Sequence, residues 1–288
     1  MRPSLLLLTA LLACGCSSAV TSAPQTKPIS EKECPCRRDT HEQLQGTLWM
    51  QTAAEYRVLA KTTYREAGEA VAKALADKSW TAAVEQTADP SALPPAVILD
   101  LDETVLDNSR FQGEQALRRE PYSPTLWRDW VKLEKAGSIP GAKEFLEFVR
   151  GKDIAVFFVT NRTLEEEGAT VANLDALGIQ ATAEEILANR ENGWTSDKTA
   201  RRQYVAKSYR ILLLIGDDLG DFIPARLTPE QRVETAEKHS DWWGRRWFLL
   251  PNPMYGSWDR ALYDHDTSLS DEEVLRRKFE LIEAFENQ

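Results

Sequence analysis

The stretch VILDLDETVLDNS, residues 97–109, runs from an apolar segment straight into a cluster of acidic and hydroxyl side chains. Its first three residues are typical of a buried strand, and Asp100 and Asp102 then place two carboxylates one residue apart at the end of that strand. Two like charges at this distance repel each other unless a cation or a shared proton compensates them. The stretch therefore predicts a buried strand that ends in a polar site with a compensating charge.

Apolar runs and amphipathic helical stretches alternate along the rest of the chain. Strands are predicted at residues 96–101, 154–160, 211–216 and 247–250, and helices at residues 140–150, 163–177, 182–189 and 197–208. Near-continuous apolar strands separated by helices indicate a parallel sheet that is covered on both faces. The predicted fold class is therefore α/β, a Rossmann-like doubly wound parallel sheet, with a smaller helical lobe inserted at about residues 110–139.

The amino-terminal residues predict an export signal rather than a part of the fold. A short basic start precedes an apolar run over residues 5–13, which is too short to span a bilayer. The run ends in LLACGCSS, which resembles a bacterial lipobox with Cys14 as the lipidated residue and Cys16 as the alternative. An ordinary secretory signal is the competing interpretation, but no A-x-A-like cleavage site directly follows the run. Residues 1–13 are therefore predicted to be a lipoprotein signal peptide that leads to a lipid anchor in the bacterial cell envelope.

Composition and periodicity divide the remaining chain into four segments. They are a flexible stalk at residues 14–41, an N-terminal helical segment that packs as part of the helical lobe at residues 42–92, a catalytic core at residues 93–262 and a C-terminal helix at residues 263–288. All four cysteines precede residue 37, so the catalytic core contains no disulfide and no cysteine nucleophile. Cys34 and Cys36 are separated by one residue, which matches no usual zinc or redox spacing, and they receive no role.

The charge of the chain restricts the class of partner. The 288 residues carry a formal net charge of -10, which argues against a general nucleic-acid binder because such proteins need a basic surface. A small anionic substrate stays compatible with this charge, because a metal ion or a few side chains can concentrate positive charge locally.

Polar clusters follow the predicted strands at the edge where doubly wound sheets bind their ligands, outside the carboxyl ends of the strands. These clusters are DLDET at residues 100–104, TNR at residues 160–162 and GDDLGD at residues 216–221. SDK at residues 196–198 joins them, because it opens and can cap the helix between the strands that end in TNR and in GDDLGD.

In this order the clusters resemble a known motif series. D-x-D-x-T, a strand-ending Thr, a Lys and G-D-D-x-x-D are similar to the motifs of the haloacid dehalogenase (HAD) superfamily. More narrowly, DLDETVLDNS, FFVTNR, LLIGDDLGDF and LLPNPMYGSW resemble the class C acid phosphatases, which are bacterial outer-membrane lipoproteins that act as 5′-nucleotidases. LWMQTAAEYRVLAKTTY also resembles the N-terminal region of that family, so the resemblance covers nearly all of residues 44–262. It implies an acid phosphomonoesterase in the outer membrane, acting on nucleotides such as nicotinamide mononucleotide, and it allows a homodimer.

The resemblance implies a division of work among the aspartates. Asp100 attacks phosphorus and forms an aspartyl phosphate, and Asp102 protonates the leaving alcohol and then activates water. Asp217 joins Asp100 and the backbone carbonyl of Asp102 around Mg²⁺, a cation that prefers oxygen ligands, and Asp221 holds a metal-bound water or a neighbouring side chain. Asp218 departs from the family, whose members usually carry Asn there, so the share of Asp218 in metal binding stays open.

Substrate contacts are implied in the same way. Thr160, Asn161 and Lys198 would bind the phosphoryl oxygens, with amide donors from the helix that follows Thr160. Trp127 and Tyr255 are the aromatic pair expected to sandwich a nucleobase.

Two other functions are compatible with parts of this pattern. A surface binding lipoprotein with a vestigial phosphatase fold would tolerate loss of the catalytic residues, yet all of them are present here. A phosphotransferase would use the same residues and pass the phosphoryl group to an acceptor alcohol, a choice that depends on how well the site excludes water.

Overall fold

The computed structural model describes residues 41–284 of the chain. The predicted signal peptide, the predicted lipidation site Cys14 and the other three cysteines lie outside the described residues, and so does all of the predicted stalk before residue 41.

Helices and short strands alternate along the described chain. The helices are α1 (Leu44–Thr52), α2 (Ala54–Ala76), α3 (Ser109–Arg118), α4 (Pro124–Lys132), α5 (Ala142–Arg150), α6 (Glu167–Ala176), α7 (Thr199–Ala206), α8 (Pro229–Lys238), α9 (Ser257–Ala261) and α10 (Asp271–Glu280). The strands are β1 (Pro95–Leu99), β2 (Leu106–Asp107), β3 (Gly137–Ser138), β4 (Ala155–Thr163), β5 (Ile186–Asn189), β6 (Arg210–Gly216) and β7 (Trp247–Leu249).

Five of the strands form one parallel sheet in the order β5-β4-β1-β6-β7. The chain leaves the central strand β1 for β4 and β5 on one side and for β6 and β7 on the other. The order therefore reverses at β1, and the carboxyl end of this strand is the switch point where such sheets bind ligands. The predicted α/β doubly wound sheet is confirmed.

β1 shows why its sequence lacks the alternation of a surface strand. Val97 and Leu99 belong to one hydrophobic core, and Ala96 and Ile98 belong to a second core on the opposite face of the sheet. Because side chains alternate between the two faces, a strand buried on both must be apolar at every position. The run ends at Asp100, the first residue beyond the strand.

The N-terminal helical segment predicted at residues 42–92 contains two helices, α1 and α2. Ala53 has an extended backbone with ψ of 131° and separates α1 from α2. α1 contacts α3, whereas α2 packs against α5 and against β6 and β7 of the sheet. The placement of this whole segment in the helical lobe is therefore wrong for α2. Its seam includes Ala60, Ala67 and Ala74, which are fully buried and small enough to let the helix approach the sheet closely.

The helix predicted at residues 182–189 is also wrong. Residues Ala183–Glu185 form a single 3₁₀ turn, and β5 follows as an edge strand that pairs in parallel with β4. Ile186, Leu187 and Ala188 are buried. Pairing and burial here outweigh the helical preference of the AEEILA sequence, as tertiary contacts do in short segments.

The lobe predicted at about residues 110–139 contains α3 and α4. Its two ends are joined by a short antiparallel ribbon, in which Leu106 pairs with Ser138 and Asp107 with Gly137. Of the C-terminal helix predicted at residues 263–288, the described residues contain α10. Within residues 41–284 none of the helices has both the length and the apolar content needed to cross a bilayer.

Candidate active site

Three carboxylates meet at the switch point of the sheet. Asp100 follows β1, Asp217 follows β6, and Asp221 closes a 3₁₀ turn over Leu219–Asp221, directly after Asp217 and Asp218. One oxygen from each carboxylate lies within 4.8 Å of the others. The parallel strands bring together groups that are more than a hundred residues apart in sequence.

Close packing fixes the positions of these carboxylates. A Cβ atom on Gly216 would lie 2.2 Å from Oδ2 of Asp221, so only glycine allows the turn to fold back against the end of β6. The hydroxyl of the buried Thr104 lies 3.3 Å from Oδ2 of Asp100 and 3.2 Å from Oδ1 of Asp217, between the two carboxylates. Asn252 donates a hydrogen bond of 2.8 Å to the other oxygen of Asp217.

The cluster contains three acidic side chains and one basic side chain. Lys198 donates hydrogen bonds to Asp100 and to Asp221. Burial lowers the pKa of Lys198, but the two carboxylates outweigh it and hold the pKa above its usual value. Burial raises the pKa of Asp100 to about 7 although Lys198 opposes the rise, and burial together with Asp100 and Asp221 raises the pKa of Asp217 well above its usual value. One ammonium group thus faces three carboxylates.

The donor set of this cluster fits a divalent cation. All the side-chain donors are oxygens, which hard cations such as Mg²⁺ prefer, and the excess of negative charge is what such a cation would neutralise. Asp100, Asp217 and Asp221 are the residues that could hold it.

Asp218 has a different task from its neighbour Asp217. Its carboxylate accepts hydrogen bonds from the backbone N–H of Gly220 at 2.8 Å and from the N–H and hydroxyl of Ser257 at 2.7 and 2.5 Å. Arg232 lies 3.8 Å away. Burial raises the pKa of Asp218, but these hydrogen bonds and Arg232 outweigh it and lower the pKa below its usual value. Asp218 thus joins the turn after β6 to the start of α9, and it is not one of the three carboxylates that meet in the cluster.

Asp102 is held apart from the three clustered carboxylates. Arg162 donates to Oδ1 of Asp102 from Nε at 2.9 Å and from Nη2 at 2.8 Å, and Asn108 donates to the same oxygen at 2.9 Å. Arg162 is buried, and it comes from the end of β4, next to the predicted phosphate-binding residues. The side chain of Asp102 therefore has a fixed orientation.

The predicted phosphate-binding residues at the end of β4 lie against a buried arginine of α7. Thr160 is fully buried, and its carbonyl accepts a hydrogen bond from Arg201. Arg201 also donates to Oδ1 of the exposed Asn161 at 2.9 Å. Burial lowers the pKa of Arg201 to about 10, so it stays charged at neutral pH. This positive charge lies just behind the loop expected to bind phosphate.

The two aromatic residues proposed to hold a base both belong to local networks. The hydroxyl of Tyr255 donates to the carboxylate of the buried Glu103. The guanidinium of Arg162 lies over the ring of Trp127 at 5.4 Å, and Phe111 meets the same ring edge-on at 5.1 Å. Both residues are partly exposed, and stacking on a base would use the surface of Trp127 that these neighbours leave free.

Sequence reasoning missed several residues that shape the site. Arg162 was quoted in the TNR cluster but received no role, and Arg201 and Arg202 were not singled out. Arg202 donates to Glu85 and to the carbonyls of Gly220 and Asp221. The sequence signal that could have indicated their roles was their position next to the predicted phosphate-binding motifs. Glu103 was also missed; it has a positive φ of 58°, a conformation that is uncommon for a residue with a side chain.

Comparison with known proteins agrees with this geometry. Residues 8–258 match the family model described as HAD superfamily, subfamily IIIB (acid phosphatase). The structure of the class C acid phosphatase from Bacillus anthracis is similar with a TM-score of 0.76 and 32% sequence identity, over 85% of this chain and 98% of that one. The same values hold for that enzyme with tungstate bound.

Curated relatives match a smaller part of the chain. A stem 28 kDa glycoprotein from Glycine max is 27% identical over 163 residues, and a stem 31 kDa glycoprotein from the same plant is 26% identical over 162 residues. Each alignment covers 55% of this chain and 58% of the relative, so the chain spans less than two thirds of the length of these relatives.

Proposed function

Because this chain belongs to the acid phosphatases of HAD subfamily IIIB and is therefore a phosphoric monoester hydrolase, we propose that it hydrolyses 5′-nucleotides in a Mg²⁺-dependent reaction through an aspartyl phosphate. The observation that carries the proposal is the meeting of Asp100, Asp217 and Asp221 around Lys198, with Asp102 held nearby. A cluster of this composition supports phosphoryl transfer to a carboxylate, since it combines a nucleophile, an acid and a site for a cation.

The residues divide the proposed reaction into two steps. In the first, a carboxylate oxygen of Asp100 forms a bond to phosphorus while the bond from phosphorus to the ester oxygen breaks, and Asp102 gives its proton to that departing oxygen. In the second, Asp102 takes a proton from water as the water attacks phosphorus, and the bond to Asp100 breaks to release inorganic phosphate. Lys198 and the N–H groups after Thr160 offset the charge on the phosphoryl oxygens.

Asp100, Asp217 and Asp221 would hold the metal ion, with the backbone carbonyl of Asp102 as a further ligand. When bound, Mg²⁺ would supply positive charge next to the phosphoryl group. Contacts with Thr104 and Asn252 help to orient two of these carboxylates, Asp100 and Asp217.

A nucleotide is the proposed substrate because Trp127 of the lobe and Tyr255 offer partly exposed aromatic surface, and base stacking on such rings is worth roughly 1–3 kcal/mol. The relative from Bacillus anthracis that has tungstate bound supports the phosphate half of this proposal, since tungstate is a tetrahedral oxyanion like phosphate.

The test measures phosphate release from a panel of nucleoside 5′-monophosphates, nicotinamide mononucleotide, sugar phosphates and a simple alkyl phosphate, with and without EDTA. The proposal expects release that EDTA abolishes and Mg²⁺ restores, with nucleotides preferred. Trp127→Ala should lower kcat/KM for the nucleotides more than for the alkyl phosphate. Preference for the alkyl phosphate in the wild-type protein would refute the nucleotidase assignment, and transfer to added glycerol would indicate a phosphotransferase.

We also propose that the protein is attached to the outer membrane of a bacterial cell envelope through a lipid on Cys14. The LLACGCSS sequence supports this location. Labelling of cells with a tagged fatty acid should mark the wild-type protein and Cys16→Ser but not Cys14→Ser, and fractionation should place the labelled protein in the outer membrane. Label that is lost only from Cys16→Ser would move the anchor to that residue.

A further inference from the structure

Every polar contact that the structure gives the carboxylate of Asp102 comes from two side chains. Arg162 and Asn108 bind the same oxygen at 2.8–2.9 Å, and Arg162 also approaches the other oxygen, Oδ2, at 3.3 Å from Nε. Arg162 is 2% exposed and Asp102 is 18% exposed, so the ion pair is largely withdrawn from water. A charge-assisted contact of this kind fixes orientation as well as charge.

Other contacts leave Arg162 little freedom to move. Its Nη1 donates to the hydroxyl of Thr170 on α6 at 3.0 Å, and its Nη2 lies 3.3 Å from Oδ1 of Asn108. The guanidinium therefore joins the end of β4, α6 and the loop that follows β1.

Helix α4 of the lobe contacts both side chains that hold Asp102. The ring of Trp127 lies under the guanidinium of Arg162 at 5.4 Å. Nε1 of Trp130 donates to Oδ1 of Asn108 at 2.9 Å, which turns the amide so that its Nδ2 donates to Asp102. The two tryptophans are three residues apart and thus neighbours on one side of the helix.

We propose that Arg162 is a positioning residue that sets the orientation of Asp102 for proton transfer, and that α4 holds it and Asn108 in place through Trp127 and Trp130. The inference rests on the proposed role of Asp102 as the acid of the reaction. On this inference the lobe has two tasks: it helps to orient Asp102 for proton transfer, and it offers a surface to the substrate. A displacement of about 1 Å at a reacting group can cost on the order of 100-fold in rate, so such support has a measurable value.

The test compares two substrates whose leaving groups differ in basicity. An alkyl phosphate releases a basic alkoxide that needs a proton from Asp102, whereas 4-nitrophenyl phosphate releases a stable phenolate that does not. The ratio kcat/KM excludes the later hydrolysis of the aspartyl phosphate, so it isolates the step in which the acid acts. General acid catalysis contributes roughly 10²–10⁴-fold. Arg162→Gln should therefore lower kcat/KM for the alkyl phosphate by about tenfold to 100-fold and leave the value for 4-nitrophenyl phosphate within about threefold of wild type.

Trp130→Phe provides a milder variant, because it removes only the N–H bonded to Asn108 and keeps an aromatic ring in place. It should show the same selectivity with a smaller loss, and it decides the question if Arg162→Gln does not fold. Arg246→Lys is the matched control. Arg246 also stacks on tryptophan, at 4.6 Å from Trp80, but it precedes β7 at the opposite edge of the sheet. Its kinetics should equal those of wild type for both substrates.

Asp102→Asn separates this inference from the proposed function. A selective loss on the alkyl phosphate in Asp102→Asn, shared by Arg162→Gln and Trp130→Phe, supports both. A selective loss in Asp102→Asn alone, or equal losses on both substrates in Arg162→Gln, keeps the acid role and overturns the positioning role. Wild-type kinetics in Asp102→Asn would remove the acid role, and the inference about Arg162 would be overturned with it.

Discussion

Asp100 is the residue on which the proposed chemistry depends most directly. It lies at the end of the central strand, and its two oxygens contact Lys198 and Thr104. Asp100→Asn keeps the size and most of the hydrogen bonding of the side chain but removes the nucleophile. We expect phosphate release to fall by on the order of 10⁴-fold or more, with an unchanged circular dichroism spectrum. Turnover near the wild-type level in this variant would exclude an aspartyl phosphate.

Asp217 and Asp218 are adjacent in sequence but differ in what their oxygens contact. Asp217→Asn should shift the Mg²⁺ titration of activity to higher concentration, because it removes one of three clustered carboxylates. Asp218→Ala should leave the midpoint of that titration unchanged and lower the free energy of unfolding by about 1–3 kcal/mol, because partly buried donors on Gly220 and Ser257 lose their acceptor. A shift of the metal titration in Asp218→Ala, with none in Asp217→Asn, would reverse these roles.

At the scale of elements, α7 organises much of the site from its first turn and a half. Lys198, just before the helix, links Asp100 to Asp221, Arg201 supports the end of β4, and Arg202 supports the turn after β6. The helix itself was predicted at residues 197–208, close to its observed bounds. The roles of the two arginines were not predicted, because arginine is rarely buried and a sequence does not reveal which charged side chains are enclosed.

The start of α7 also gives a pH dependence of stability. Asp197 accepts a hydrogen bond of 2.7 Å from the backbone N–H of Thr199. Partial burial raises the pKa of Asp197, but the hydrogen bonds to Thr199 and the nearby arginines outweigh it and lower the pKa below its usual value. A lowered pKa means that the folded state favours the ionised carboxylate. Its stabilisation is complete above the unfolded value of about 3.9 and is lost as the pH falls through the folded value.

Asp197→Ala should therefore lower the free energy of unfolding by about 0.5 kcal/mol at neutral pH, the low end for one hydrogen bond, because the side chain is exposed and solvent screens its charge. Urea unfolding of the wild-type protein and the variant, compared between pH 7 and about pH 3, should show that the difference shrinks on acidification. A difference that is the same at every pH would mean that the side chain acts through packing and that its charge is irrelevant.

The sheet shows what local sequence can and cannot predict. The strands β1, β4, β6 and β7 were predicted, because the apolar run of each marks a segment enclosed within the fold. β5 lies at the edge and is only four residues long, so its signal resembled a helix and only its pairing with β4 distinguishes it. The aspartates at the strand ends were likewise predicted from the local sequence. The contact of Arg162 with Asp102 spans 60 residues and depends on how the lobe closes on the sheet, which local patterns do not contain.

At the scale of the whole molecule, the carboxylate cluster affects the stability of an already acidic chain. The chain has a net charge of -10, and three of its carboxylates share a partly water-excluded cluster with one lysine. Repulsion within this cluster destabilises the folded state, since unfolding would separate the charges into water. A cation that binds only the folded state must therefore stabilise the fold as well as serve the reaction.

Addition of Mg²⁺ to protein treated with EDTA should raise the melting temperature measured by calorimetry. At about 100 times the dissociation constant the linkage amounts to about 2.7 kcal/mol, which corresponds to a rise of roughly 5–10 °C for a domain of this size. NaCl at the same ionic strength should have a much smaller effect, because it screens the repulsion without occupying the cluster. Asp217→Asn should reduce the rise produced by Mg²⁺, because it weakens the site while relieving part of the repulsion. Equal rises with NaCl and with Mg²⁺ would show that general screening is the cause and that the carboxylate cluster does not bind the cation.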